Sequence, residues 1–447
     1  MKSRTPKVLH PICGRPMLAY VIDAAREATG ERPLVVYSPA TAQVCEVFAD
    51  EADFALQQEP RGTGDALRAA LDVLPSEAAE IVVLSGDTPL VQAGTIAFVA
   101  AERRRRQAVM ALAILEGADP SGYGRVIVGL DGRVDRIVEE KDASLEEREV
   151  FTLNAGLYAF DVAWLGQAIG RIEPSPVTGE LYLTQLVEVA AADDRHAVAV
   201  MAGEKEAAWW EQLLGINDRL DLAQAESYLR FAIVERHMKA GVTFVNPDSV
   251  TVEATVEIAE DVTVEPNVVL RGATRIGRDT VIKAGSQVLD SVIGERGCVW
   301  ASVIEGSTVG NDVKIGPFAH LRAGCEIGDG AEIGNFAEQK NTRFGARSKQ
   351  HHFSYLGDAE VGPDVNIGAG TITANYDGHA KHRTVIGARA FIGSDTILRA
   401  PVSIGDGAYT GAGSVVTRDV PPGKLAVGVP ARIRERNAPA GKPEPGR

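Results

Sequence analysis

The chain has 447 residues, a length that suggests two or three domains. Its 46 basic and 61 acidic residues leave a net charge of −15, which argues against a general nucleic-acid binder. A composition of 45% hydrophobic and 24% charged residues excludes wholesale disorder. No apolar run approaches the roughly 18 residues of a membrane span, so membrane insertion is not expected. The opening segment MKSRTPKVLHPICGRPM is charged, lacks a long apolar core and does not read as a signal peptide. Cys13, Cys45, Cys298 and Cys325 are scattered without C-x-x-C spacing, which fits a reducing cytoplasm.

The first half alternates. Strand-like apolar runs at Pro33–Tyr37, Ile81–Leu84, Val109–Leu115, Val126–Val128 and Leu153–Phe160 are separated by helix-like stretches. These are Met17–Thr29, Thr41–Asp50, Gly64–Leu74 and Ala93–Gln107, and the alternation predicts an α/β domain with a mostly parallel sheet. Within it, Gln57–Asp65 reads QQEPRGTGD, and its Gly62–Thr63–Gly64 would let backbone N–H groups approach a phosphate or base. A lone G-T-G is also an ordinary loop before a helix. Ile81–Leu90 reads IVVLSGDTPL and carries Asp87 to the carboxyl end of a strand, where such sheets bind ligands. Asn217–Ala240 has no Gly or Pro and spaces its apolar residues helically up to Gly241; it reads as a connecting helix.

The second half repeats every six residues. One run is Val252, Ile258, Val264, Leu270, Ile276, Ile282 and Val288; another is Val309, Ile315, Leu321, Ile327 and Ile333. Val361 and Ile367 follow, then Ile386, Ile392, Leu398 and Ile404. Glycine doubles in frequency after residue 245, and a period of six fits neither helix nor hairpin. It fits a hexapeptide β-helix, with one inward aliphatic residue per flat strand. The period fails between Ile333 and Val361 and between Ile367 and Ile386, and such interruptions are expected to form loops or exposed faces, often the binding face. Five of the eight histidines (His320, His351, His352, His379 and His382) fall in or near these stretches, with Lys340, Lys349, Lys381, Tyr355, Tyr376, Asn366 and Asn375. Cations, amides and a titratable imidazole together point to an anionic ligand and general-base chemistry. On the residues alone, His351 and His352 are rivals for the base.

The motifs of the first half, in order, resemble the sugar-nucleotide pyrophosphorylases: Pro6–Lys7–Val8–Leu9, Gly62–Thr63–Gly64, Gly86–Asp87–Thr88–Pro89, Gly122–Tyr123–Gly124–Arg125, Val138–Glu139 and Asn154–Ala155–Gly156. Those of the second half resemble a sugar-phosphate acetyltransferase: Gly334–Asn335–Phe336, Tyr355–Leu356–Gly357–Asp358, Asn366–Ile367–Gly368–Ala369–Gly370 and Asn375–Tyr376–Asp377–Gly378. Together, over residues 1 to about 430, they resemble the bifunctional N-acetylglucosamine-1-phosphate uridyltransferase / glucosamine-1-phosphate N-acetyltransferase family. That resemblance implies a Rossmann-like α/β domain (1–217), a linker helix (218–241) and a left-handed β-helix (242–430); the tail (431–447), whose end is rich in Pro, Gly and charge, is expected to be disordered. It implies a cytoplasmic homotrimer that supplies UDP-N-acetylglucosamine for cell-wall precursors.

The resemblance also implies roles. Asp87 and Asn217 would hold Mg²⁺, and Lys7 would neutralise phosphate charge. Gln57, Gly62, Thr63, Ser85 and Gly86 would frame UTP, and Gly124, Glu139 and Asn154 the sugar. His352 would be the general base, favoured over His351 by family spacing to Tyr355. Arg322, Lys340, Tyr355, Asn366 and Lys381 would bind glucosamine-1-phosphate. Ala369, Asn375, Tyr376, Ser394 and Ala412 would line the acetyl-CoA path, with Arg432 in place of a family arginine expected near Val429. The family's opening Gly-rich loop, L-A-A-G-x-G-T-R-M, has only its last position matched, by Met1. The reading favoured for this is a start codon placed too late, with uridyl transfer by the chain as written impaired. The alternatives are an acetyltransferase with a silent first domain, a single-activity hexose-1-phosphate nucleotidyltransferase, and a non-catalytic scaffold.

Overall fold

The computed structural model describes residues 1–116, 120, 122–201 and 209–436. Backbone contacts divide the chain into two units, Met1–Leu229 and Arg230–Arg447, with the division inside the helix Arg219–Lys239. The tail beyond 436 lies outside the described residues. The strand Ala431–Arg434, expected in the disordered tail, instead pairs antiparallel with Leu425–Gly428.

In the first unit the strand Met110–Glu116 is buried on both faces. Ala111, Ala113 and Leu115 enter one apolar cluster; Met110, Leu112 and Ile114 enter the other. A near-continuous apolar run is what double burial demands. The helices Met17–Thr29 and Ala93–Arg105 cover the first face. The former stops at Gly30, whose φ of +73° lets its N–H reach the Arg26 carbonyl. The sheet is mixed rather than mostly parallel. Ala197–Val200 runs parallel to Met110–Glu116, but Thr152–Asp161 runs antiparallel to Met110–Glu116, Glu80–Val83 and Arg125–Val128. A parallel entry needs a long crossover, usually a helix. The segment 139–151 is such a crossover: the hairpin of Arg125–Val128 with Val134–Val138 reverses the chain, and Thr152–Asp161 then enters parallel to Val134–Val138 on the other side of Arg125–Val128, hence antiparallel to the rest of the sheet.

The second unit is a parallel β-helix of three sheets. Val252 pairs with Leu270, eighteen positions on, and Ile258 with Ile276. Every aliphatic residue of the six-residue series is buried. The series also continues where it had seemed to fail. Ile293, Val299 and Ile304 bridge Val288 to Val309 after one-residue slips, and Gln339, Phe344, Gln350 and Leu356 bridge Ile333 to Val361. The stretch 334–360 is therefore solenoid and not a loop; five-residue sides and two glutamines hid it from the period. The excursion lies at 375–383, where Asn375 and His382 close on each other through His382 N and the Asn375 carbonyl, 2.7 Å apart.

Candidate active sites

In the first unit Glu80–Val83 delivers Ser85, Gly86 and Asp87 to its carboxyl end. Lys7 Nζ forms an ion pair with Asp87 Oδ2 and donates to Asn217 Oδ1 at 3.3 Å. The Asp87 carbonyl accepts from Ile216 N at 3.0 Å, which pins the segment before Asn217 beside it. The Asp87 and Asn217 oxygens thus already converge on one cation, the lysine ammonium. Hard oxygen donors of this kind suit Mg²⁺, which keeps waters and takes phosphates as further ligands. No cluster of three or more His, Cys, Asp or Glu ligands exists among the described residues.

Gln57 Nε2 donates to the Gly62 carbonyl at 3.1 Å and to Asp65 Oδ2 at 3.0 Å. Gly62 has φ +117°, and a Cβ there would stand 2.5 Å from the Leu181 carbonyl oxygen, so only glycine fits. Gly64 N bonds that same carbonyl at 2.8 Å, and Thr63 Oγ1 accepts from Leu183 N at 3.0 Å. The G-T-G turn is therefore clamped to 181–183 at the start of the helix Thr63–Leu71. Glu139 and Asn154 close over Gly124, with Glu139 Oε2 and Asn154 Cβ 3.5 and 3.6 Å from where its Cβ would stand. Thr184 Oγ1 donates to Glu139 Oε1 at 2.9 Å, and Asn154 Nδ2 to the Tyr158 hydroxyl at 2.6 Å. Burial pushes the Glu139 carboxyl up, against the Thr184 hydrogen bond, and pushes the Tyr158 phenol up as well. Ser85 faces this group across Gly156, its Oγ 2.8 Å from a Cβ position there. The sequence reading omitted Asp65, Tyr158 and Thr184. Asp65 closes the QQEPRGTGD segment and Tyr158 shares a strand face with Asn154, so both were reachable; Thr184 left no signal.

In the second unit register places the residues in columns. Leu321 pairs with Gln339, and Lys340 with Gly357, so Arg322, Lys340 and Gly357 follow one another on successive coils. The Lys381 ammonium beside Lys340, with Arg322 next, holds the Lys340 amine below its ordinary value. Three cations gathered this way suit a phosphate. Tyr355 and Asn375 crowd over Gly357, at 2.3 and 2.8 Å from its Cβ position, so the glycine makes room for both. Asp358, which the Tyr355–Asp358 motif contains but which was expected to play no role, accepts from Asn341 Nδ2 at 2.7 Å and Asn375 Nδ2 at 2.6 Å. Burial raises its carboxyl, but these amides with Lys381 and Lys340 outweigh it and hold it low.

A second column is formed by the residues two places after Gln350, Ile367, Ile392 and Thr410, which pair in sequence or follow paired neighbours. These are His352, Ala369, Ser394 and Ala412. Ser394 O accepts from Gly413 N, and Ala369 O from Asp395 N, at 2.8 and 2.6 Å. Arg432 pairs with Val427, which packs against Gly411, at the end of this column. His351 Nε2 bonds Glu332 Oε2 at 2.8 Å, whereas the exposed His352 ring meets only the His351 edge among the described residues. Asn366 is on a different sheet from Lys340 and Tyr355, pairing with Lys349 and Phe391. Tyr376 is exposed on the excursion; its hydroxyl donates to the Gly378 carbonyl and its backbone bridges Lys381.

Residues 2–228 match the nucleotidyl transferase family, and 306–338 and 383–418 match the bacterial transferase hexapeptide family of six repeats. The chain is 47% identical over 446 residues to the bifunctional protein GlmU of Rubrobacter xylanophilus, spanning 100% of this chain and 93% of that one. It is 43% identical to that of Trichlorobacter lovleyi over 96% of this chain and 92% of the relative. The chain belongs to the bifunctional GlmU family. Its α/β unit is the nucleotidyltransferase half, and its three-sheet solenoid is the left-handed parallel β-helix of the hexapeptide half. Identity to the GlmU of Listeria monocytogenes, 40% over 98% of this chain, likewise runs through both units. No helix among the described residues is long and apolar enough to cross a membrane.

Proposed function

We propose that the second unit moves the acetyl group of acetyl-CoA to the amine of glucosamine-1-phosphate, and that the first unit couples the product to UTP, releasing pyrophosphate. The observation that carries this is the pairing, in one chain, of a nucleotide-type site at a strand's carboxyl end with a cation group and a free imidazole on a β-helix.

For acetyl transfer, Arg322, Lys340 and Lys381 hold the sugar phosphate. The amine arrives as an ammonium and is no nucleophile until it loses a proton. His352 takes that proton on an imidazole nitrogen, and the free amine attacks the thioester carbonyl. The sulfur of coenzyme A leaves and is reprotonated. The column Ala369–Ser394–Ala412, with Arg432 at its end, supports an extended acetyl-CoA along the coil edge. His351 is held by Glu332, which leaves His352 as the base.

For uridyl transfer, the phosphate oxygen of N-acetylglucosamine-1-phosphate attacks the α-phosphorus of UTP, so alignment and charge neutralisation carry the reaction. Gln57 and the Gly62–Gly64 turn frame the nucleotide with Ser85 and Gly86; Glu139 and Asn154 orient the sugar. Asp87 and Asn217 would hold Mg²⁺, which supplies charge to the leaving pyrophosphate, while Lys7 neutralises phosphate from the same side. The name shared by the relatives speaks for two activities over either single-activity reading. A homotrimer fits the exposed phenylalanines Phe318, Phe336 and Phe353 beside the His352 column, and the lack of disulfides among the described residues fits a reducing cytoplasm.

The test assays each half-reaction alone. His352→Ala is expected to lower acetyl transfer roughly 10²–10⁴-fold and leave uridyl transfer unchanged. A normal acetylation rate in His352→Ala, with loss in His351→Ala, would overturn the assignment of the base.

A further inference from the structure

The inward ladder of the β-helix is mainly apolar, and beside the candidate base two of its positions carry primary amides. Gln339 and Gln350 occupy inward ladder positions and are fully buried. Each sits between aliphatic partners, Gln339 between Leu321 and Leu356, Gln350 between Ile333 and Ile367. A buried amide is costly unless bonded, and a solenoid needs nothing but apolar bulk at these positions. The two amides form a directed chain. Gln339 Nε2 donates to Gln350 Oε1 at 2.6 Å, and Gln350 Nε2 donates to Ser354 Oγ at 2.8 Å. Ser354 Oγ donates to the main-chain carbonyl of His352 at 2.9 Å. Gln339 Oε1 is left buried and unbonded, so the chain is not explained by saturation of every polar atom.

We infer that Gln339, Gln350 and Ser354 are positioning residues: a polar wire through the solenoid core that sets the turn from which His352 projects. The inference rests on the assignment of His352 as the base. The His352 ring has no hydrogen bond of its own among the described residues, so its direction is set by its backbone. That backbone is fixed at three points. The His351 carbonyl passes 2.2 Å from the Cβ position of Gly334, His352 O takes the Ser354 hydroxyl, and Phe353 O takes Gly370 N at 2.7 Å. The middle point is the one that hydrogen bonds from the core hold, and donors in series reinforce one another in a dry interior.

Ordinary stabilising contacts and a positioning wire respond oppositely to repacking. Replacing both members of a buried polar pair by apolar residues of similar shape is close to neutral or stabilising. The variant Gln339→Leu/Gln350→Leu is therefore expected to melt at or above the parent's temperature. Its kcat for acetyl transfer should fall about 10–10²-fold, the scale set by an ångström's misplacement of a reacting group. Its KM for acetyl-CoA should stay within about twofold, because the Ala369–Ser394–Ala412 column is untouched. Ser354→Ala should lose kcat similarly and Ser354→Thr should retain it. The double glutamine change should add little in the Ser354→Ala background. Unchanged kcat in both Gln339→Leu/Gln350→Leu and Ser354→Ala would overturn the inference. Should the leucine pair misfold, Ser354→Ala against Ser354→Thr decides alone: equal rates sink it. Failure of the base assignment is separable, because it would appear as full acetyl transfer by His352→Ala.

Discussion

The two units solve the problem of gathering distant residues in different ways. In the β-helix, proximity is arithmetic: residues one coil apart stack, so Arg322 and Lys340, or His352, Ala369, Ser394 and Ala412, share columns by register. In the α/β unit, proximity is topological. Lys7, Asp87 and Asn217 meet although they come from the chain's start, a strand end and the approach to the connecting helix. A repeat turns sequence position into spatial position, whereas a sheet must be known before its site can be.

That contrast predicts separable failure. Asp87→Ala should reduce uridyl transfer by about 10²–10³-fold, as expected for loss of one electrostatic group at a charged transition state. Acetyl transfer by the same variant should be unchanged, and a parallel drop in both rates would break the division of labour. Next in size is packing. Ile304 is fully buried on a ladder position, and Ile304→Ala should cost about 2–5 kcal/mol. Calorimetry should place that loss in the transition that abolishes acetyl transfer, with the temperature of uridyl inactivation unmoved. A shift of both would mean that the units melt as one.

The smallest effect concerns pH. Burial raises the Glu139 carboxyl, so the folded state disfavours its ionised form. The resulting destabilisation is present above the raised folded value and vanishes as pH falls below the unfolded value of about 4.3. Glu139→Gln should therefore melt higher than the parent near pH 7, with the difference shrinking toward pH 4, while KM for the sugar phosphate rises. A melting difference independent of pH would refute the burial argument.

How much was legible follows the same divide. The eighteen aliphatic positions of the six-residue series are all buried, so the solenoid was readable almost residue by residue. What misled was the assumption that a polar residue breaks a ladder: Gln339 and Gln350 point inward, and 334–360 is regular coil. In the first unit the long apolar strands were readable from composition. The antiparallel course of Thr152–Asp161 was not, because its orientation follows from the hairpin that precedes it and not from the strand's own residues. Gln57, Gly62 and Glu139 lie in or beside short motifs and could be named from the sequence; Thr184, which reaches Glu139 from a distant 3₁₀ turn, carries no motif.

The column that starts at His352 has a fixed pitch. Successive coils lie about 4.8 Å apart. Gln350, Ile367, Ile392, Thr410 and Ala426 mark five levels, hence four steps, from the imidazole turn to the strand facing Arg432. The edge is a ruler of about 19 Å. Duplicating one coil would leave every ladder intact and every side chain in its chemical setting, yet lengthen the ruler by one step. The fold would tolerate that insertion, while an elongated ligand held at both ends would no longer span it. In such a scaffold, ligand length is counted in turns of the chain.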